Sequence, residues 1–169
     1  MKKKIYAPWR HDYVTKTGKK EKSISKDSCV FCQQFAQQDD EKYFILKRFN
    51  HSAVMMNLYP YNAGHVMVLP LDHQASLNNL TPETRAEMME VTNLSLNVIG
   101  SSMNAEGFNV GINLGIAGGG GIPGHLHIHI LPRWLGDTNF LETIGETKLI
   151  SSDLVQTYKN LKQKFDQEK

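Results

Sequence analysis

The chain has 169 residues, with 19 Lys and Arg against 17 Asp and Glu, and 40% of its residues are apolar. That length suits one domain with a substantial core, and a net charge of +2 gives no reason to expect a nucleic-acid partner. No apolar run approaches the ~20 residues needed to span a bilayer, and the polar stretch after Met1 lacks a signal-peptide core, so a soluble cytoplasmic protein without a membrane partner is expected.

Residues 1–25 concentrate lysine, with Tyr6, Trp9 and Tyr13 interspersed, and form a basic N-terminal arm; residues 26–169 form a single domain. A short helix is predicted from Cys29 to Gln38. Strands follow at Tyr43 to Arg48, His51 to Leu58, and His65 to Leu69, with Tyr59-Pro60-Tyr61-Asn62-Ala63-Gly64 supplying turn chemistry between the last two. Thr81 as N-cap and Pro82 at the first helical position begin a long helix, whose Met88, Val91, Leu94 and Val98 share one apolar face. The chain returns as a strand at Phe108 to Leu114 and crosses a glycine-rich turn, Gly115 to Gly124. A strand of alternating histidines comes next, and then a closing helix capped by Ser152, with a stripe of Leu154, Tyr158, Leu161 and Phe165. Strands clustered before the helix and paired after it predict an α+β domain: an antiparallel sheet of about five strands, with the long helix and the C-terminal helix packed on one side.

His125, His127 and His129 alternate with Leu126, Ile128 and Ile130. In a strand, alternate side chains share a face, so the three imidazoles project together while the apolar residues point into the core. Imidazole near neutral pH is a nucleophile, a proton carrier or a metal ligand, and the pattern alone leaves these roles open.

Cys29-Val30-Phe31-Cys32 contains the only two cysteines. With His73 and His125 they would make a closed set of two thiolates and two imidazoles, which suits a structural zinc; otherwise they are core thiols beside a loop histidine. The Gly118 to Gly121 run brings no Walker pattern, and is either a flexible loop or a backbone cradle for phosphate. His65, which opens an apolar strand after Gly64, is expected to be structural rather than catalytic, and His11 and His51 to be surface or strand histidines.

The run His125-Leu126-His127-Ile128-His129-Ile130-Leu131 resembles the signature of the histidine triad (HIT) superfamily. Cys29 to Cys32, Asn57 to His65, Val66-Met67-Val68-Leu69-Pro70, His73 and Asn113-Leu114-Gly115 occupy the matching places. Asn57 to His65, Pro132-Arg133-Trp134, the stretches 136–140 and 145–148, and the Ala7-Pro8-Trp9-Arg10 arm are similar to the diadenosine tetraphosphate phosphorylase branch. The resemblance implies a HIT-like fold, a homodimer and a nucleotide substrate attacked at its α-phosphorus, with water or inorganic phosphate as acceptor and no organic cofactor.

On that resemblance His127 is the nucleophile, forming a nucleotidyl-histidine intermediate, and His129 is a hydrogen-bond donor to the transferring phosphoryl group. His125 is either a zinc ligand or the group that orients His127. Asn57 contacts the ribose, Asn113 lies near the phosphates or holds the site's backbone, and the backbone of Gly119, Gly120 and Gly121 adds donors. Trp134 lines the nucleotide site. One departure stands out: Gly121 and Ile122 occupy places where many members carry Gln and Ser, so no serine hydroxyl is available to protonate an amine leaving group. Dinucleoside polyphosphates are therefore expected over nucleoside phosphoramidates, with a phosphoramidate hydrolase and a nucleotide-binding regulatory module as the alternatives.

Overall fold

The computed structural model describes residues 25–138, 140–145, 150 and 152–168. The basic arm, apart from Ser25, and the stretch 146–149 lie outside the described residues. Five strands form one antiparallel sheet: β1 (Ile45–Arg48), β2 (Ser52–Met56), β3 (Val66–Pro70), β4 (Gly107–Ile112) and β5 (Ile128–Arg133), in spatial order β1-β2-β3-β5-β4. The helices are α1 (Val30–Ala36), α2 (Pro82–Met103), the single-turn α3 (Phe140–Thr143) and α4 (Leu154–Gln167). The α+β architecture matches the sequence expectation, and none of the described helices is long and apolar enough to cross a membrane.

Alternation along the strands sorts side chains into two cores. Val54, Met56, Val66, Val68, Leu126, Ile128 and Ile130 face α2 and α4, where Met88, Val91, Val98, Tyr158, Leu161 and Phe165 are buried against them. The intervening residues Ala53, Met55, Met67 and Leu69 face the other way and pack beneath α1 with Cys29, Phe31 and Cys32. Helices therefore cover both faces rather than one. The reason is visible in β2 and β3, which are buried at every position and carry apolar residues on both faces.

Helix α2 begins as expected, with Thr81 Oγ1 accepting the Thr84 N–H at 3.2 Å, and ends at Asn104 in the left-handed conformation. Helix α4 starts one residue later than the Ser152 cap predicts. Its N-cap is Asp153, whose carboxylate accepts the Gln156 N–H at 2.7 Å and also suits the positive end of the helix.

The histidine strand joins the ladder only at Ile128, three residues later than expected. The β3–β5 register pairs Val66 with Ile130 and Val68 with Ile128, so Leu126 falls opposite Pro70, which has no N–H to offer. The Leu126 N–H donates instead to the Gln74 carbonyl at 2.6 Å. His125 and His127 thus lie just before the strand, outside the ladder, while His129 sits within it opposite Met67.

Leu161 and Phe165 are fully buried and fasten α4 to the sheet. Leu161→Ala is expected to cost about 2–5 kcal/mol of stability in urea unfolding, since a cavity opens in a packed layer. A loss under about 1 kcal/mol would mean that α4 is not part of the cooperative core.

Candidate active site and metal site

All three strand histidines are buried: Phe31 of α1 lies against His125 and His127, and Tyr61 and His65 lie against His129. The Phe31 ring lies 5.5 Å from the His125 ring and 5.7 Å from the His127 ring, centroid to centroid. A buried neutral imidazole has one N–H donor and one lone pair, and the partner of one nitrogen decides the state of the other.

His127 Nδ1 lies 2.8 Å from the His125 carbonyl oxygen. A carbonyl only accepts, so Nδ1 carries the proton and Nε2 keeps its lone pair. His125 Nε2 lies 2.9 Å from the Pro70 carbonyl oxygen. By the same logic Nε2 of His125 is protonated, and its Nδ1 lone pair is turned towards Cys29 Sγ at 3.4 Å and Cys32 Sγ at 3.5 Å. It is thus the main chain of His125, not its imidazole, that orients His127.

His129 is governed by a residue that sequence reasoning assigned to structure alone. The Tyr61 backbone N–H donates to His65 Nδ1 at 3.1 Å, which leaves the His65 proton on Nε2. That N–H faces His129 Nδ1 at 2.9 Å, so Nδ1 of His129 must accept and its Nε2 must carry a proton. His65 therefore sets which nitrogen of His129 carries the proton. The only sequence signal for it was its opening position in β3, and the pairing with His129 depends on strand register.

Burial pushes the pKa values of these rings down: His65 to about 3, His125 to about 4 and His129 to about 4, with the charges of neighbouring histidines adding to the effect. Hydrogen bonding from His125 to Pro70 opposes the shift without cancelling it.

Gly64, φ +71°, makes the turn into His65; a Cβ there would lie 2.5 Å from Met103 Sδ and 3.2 Å from Pro132 Cγ. The same turn is tied to β5 by Asn62, whose Nδ2 donates to the Pro132 carbonyl and to the Asp137 carboxylate, both at 3.0 Å. Arg133 grips that carboxylate from Nε at 2.6 Å and Nη2 at 2.8 Å, holding it well below the usual carboxylate range.

Cys29, Cys32, His73 and His125 converge, with one ligand atom from each lying within 4.8 Å of all the others. Cys32 Sγ lies 3.3 Å from His73 Nδ1. A tetrahedral ion with metal–sulfur and metal–nitrogen bonds of about 2.3 and 2.0 Å would separate its sulfur and nitrogen ligands by about 3.5 Å, so these spacings fit. Burial, together with the neighbouring Cys29, pushes the Cys32 thiol up to about 11, against the opposing pull of Lys26 and a backbone hydrogen bond. The donor set and the geometry both fit zinc.

A cavity of about 330 Å³ opens beside the histidines. His127 and His129 line it together with Asn57, Gly121, Ile122 and the α1 residues Val30, Phe31 and Gln34. Asn57 Oδ1 is already accepting the Tyr59 N–H at 2.8 Å. A second, smaller cavity of about 180 Å³ adjoins His129 on its β4 side and is lined by Tyr61, Asn109 and Asn113. Asn113 therefore flanks the smaller space.

Two sequence expectations are corrected. The N–H groups of Gly119 and Gly120 close turns onto the Ile116 and Gly115 carbonyls, at 3.0 and 3.2 Å, so they are consumed by the loop and are not spare phosphate donors. Trp134 does not line either cavity. Its indole N–H is directed to the Met103 and Asn104 carbonyls at 3.2 and 2.9 Å, satisfying acceptors left open where α2 ends.

Because the unfolded-chain histidines titrate near 6.5 and the folded ones far lower, the unfolded state takes up protons first on acidification. Stability is intact above about pH 6.5 and falls as the pH drops towards 4 and then 3. Urea unfolding from pH 7.5 to 4.5 should show this decline, and His65→Gln should make it shallower. An unchanged slope in that variant would contradict the buried neutral pair.

The HIT domain family model matches residues 38–134. The chain is 36% identical over 155 residues to the AP-4-A phosphorylase of Mycobacterium tuberculosis, covering 91% of this chain and 80% of that protein. It is 32% identical over 117 residues to the asymmetrical bis(5'-nucleosyl)-tetraphosphatase of Schizosaccharomyces pombe, covering 69% and 60% respectively. Among solved structures, a zinc-bound histidine triad family protein from Mycobacterium smegmatis aligns with a TM-score of 0.69 at 26% identity, covering 85% of this chain and 96% of that one.

Proposed function

The chain belongs to the HIT domain family, and from that premise we propose that it is an enzyme that cleaves dinucleoside polyphosphates by nucleotidyl transfer through His127. What supports this most directly is the complementary pair of nitrogens at the cavity: a lone pair on His127 Nε2 and a proton on His129 Nε2, with ring centroids 4.7 Å apart. A nucleophile and a phosphoryl-oxygen donor are what the two-step displacement needs.

His127 Nε2 attacks the α-phosphorus, the bond to the bridging oxygen breaks, and the remaining polyphosphate leaves with that electron pair. The His129 N–H donates to a nonbridging oxygen as charge gathers there. Nδ1–H of His127 stays on the His125 carbonyl throughout, which stabilises the ring as it becomes cationic. Inorganic phosphate or water then attacks the same phosphorus and His127 departs. Ile122, packed against the apolar residues under α1 and lining the cavity, supplies no proton to an amine, so phosphoramidates are poor substrates.

We assign Cys29, Cys32, His73 and His125 to a structural zinc, consistent with the zinc-bound relative. When bound, zinc supplies charge neutralisation for the two thiolates and a crosslink between α1 and the histidine strand, with no open position for catalysis. The outer edge of β4, exposed at Asn109, Val110 and Gly111, suits pairing with a second copy.

Diadenosine tetraphosphate should yield ATP and ADP when inorganic phosphate is present, and ATP and AMP if water is the acceptor. His127→Ala should lower turnover by at least about a thousandfold while retaining adenine nucleotide binding, the loss following from removal of the nucleophile. Turnover surviving in that variant would reject the covalent route. Elemental analysis should find one zinc per chain, and Cys32→Ser should lose it and melt at a lower temperature; wild type that purifies without zinc, or that melts no higher than this variant, would reject the metal assignment.

A further inference from the structure

Gln34 occupies the inner face of α1, is only 8% exposed, and lines the larger cavity. Its Oε1 is a buried polar atom without a hydrogen-bond partner among the described residues, which is costly for a side chain that a leucine or methionine would replace without penalty. Around it, Val30, Phe31, Met55, Met67 and Ile122 make the cavity wall apolar. The other polar groups are committed or peripheral: the Asn57 oxygen is bonded to Tyr59, the two histidines serve the phosphoryl group, and Tyr59 and Tyr61 are exposed.

Resting on the nucleotide reading above, we propose that the Gln34 carboxamide reads the base of the bound nucleotide and sets a preference for adenine. A carboxamide offers one donating and one accepting end, and rotation about its last bond turns either towards the cavity. Adenine presents a matching pair, an exocyclic amino donor beside a ring-nitrogen acceptor, and one amide satisfies both. Guanine carries three polar groups along its corresponding edge, so in this apolar slot one amide leaves at least one of them desolvated and unpaired. A lost buried hydrogen bond of this kind discriminates by roughly ten- to a hundredfold. The unpaired oxygen of the free protein is then the vacancy that the base fills, and apo stability is lowered for the sake of recognition.

Equilibrium binding of AMP, GMP and purine riboside 5'-monophosphate, which lacks the amino group, tests this in the wild-type chain and in Gln34→Leu. Wild type should bind AMP at least about tenfold more tightly than either competitor, and Gln34→Leu should level the three affinities. The variant should also melt about 2–4 °C higher without ligand, because the buried unpaired oxygen is gone. Gln34→Met serves the same purpose if the leucine variant does not fold. A preference for AMP that survives in the folded variant, or equal binding of all three by wild type, overturns the role of Gln34. Wild type that binds none of the three overturns the nucleotide reading itself, and this inference with it.

Discussion

Every buried imidazole at the site has one nitrogen held by a partner whose hydrogen-bonding sense is fixed by the backbone. The Pro70 carbonyl holds His125, the His125 carbonyl holds His127, and the Tyr61 N–H acts on His129 through His65. Three chemically identical side chains on one strand thereby acquire three roles: a lone pair facing the metal set, a lone pair facing the cavity, and a proton facing the cavity. Burial keeps the outer members of this arrangement neutral, so the assignment of protons is enforced by desolvation as well as by geometry.

The fold delivers these partners by register. Pairing of β3 with β5 places Met67 opposite His129 and leaves Leu126 opposite a proline, which ends the ladder where the site begins. Helix α1 then closes the face. Its Cys29 and Cys32 meet His73 and His125, while Val30, Phe31 and Gln34, on the same short helix, wall the cavity. The proposed metal set and the cavity share α1 and its N-cap Cys29, so whatever fixes α1 against the sheet also fixes the cavity.

Much of this was legible in the sequence where the information is local. The alternation of Leu126, Ile128 and Ile130 with histidine, the Thr81-Pro82 start and the apolar stripes of α2 and α4 each specify their own surroundings, and all were found as read. The four residues of the proposed metal set could be gathered because thiol and imidazole in that combination have few other uses. What escaped was non-local. His65 bonds His129 across 64 positions, and nothing near His65 shows it. The covering of the histidine face by α1 required recognising that Ala53, Met55, Met67 and Leu69 form a second apolar surface. Gly119, Gly120 and Trp134 looked like ligand groups because their types suit the task, yet each is consumed by a nearby carbonyl. Gln34 lies inside the predicted short helix with nothing in the sequence to single it out; its burial and an oxygen with no partner among the described residues mark it out.

The assignment of protons is open to direct observation by long-range nitrogen–proton correlation spectra of the imidazoles at pH 7. The account predicts the proton of His127 on Nδ1 and the protons of His65, His125 and His129 on Nε2. A proton on Nε2 of His127, or on Nδ1 of His129, would leave the site without its nucleophile or its donor and would contradict the account.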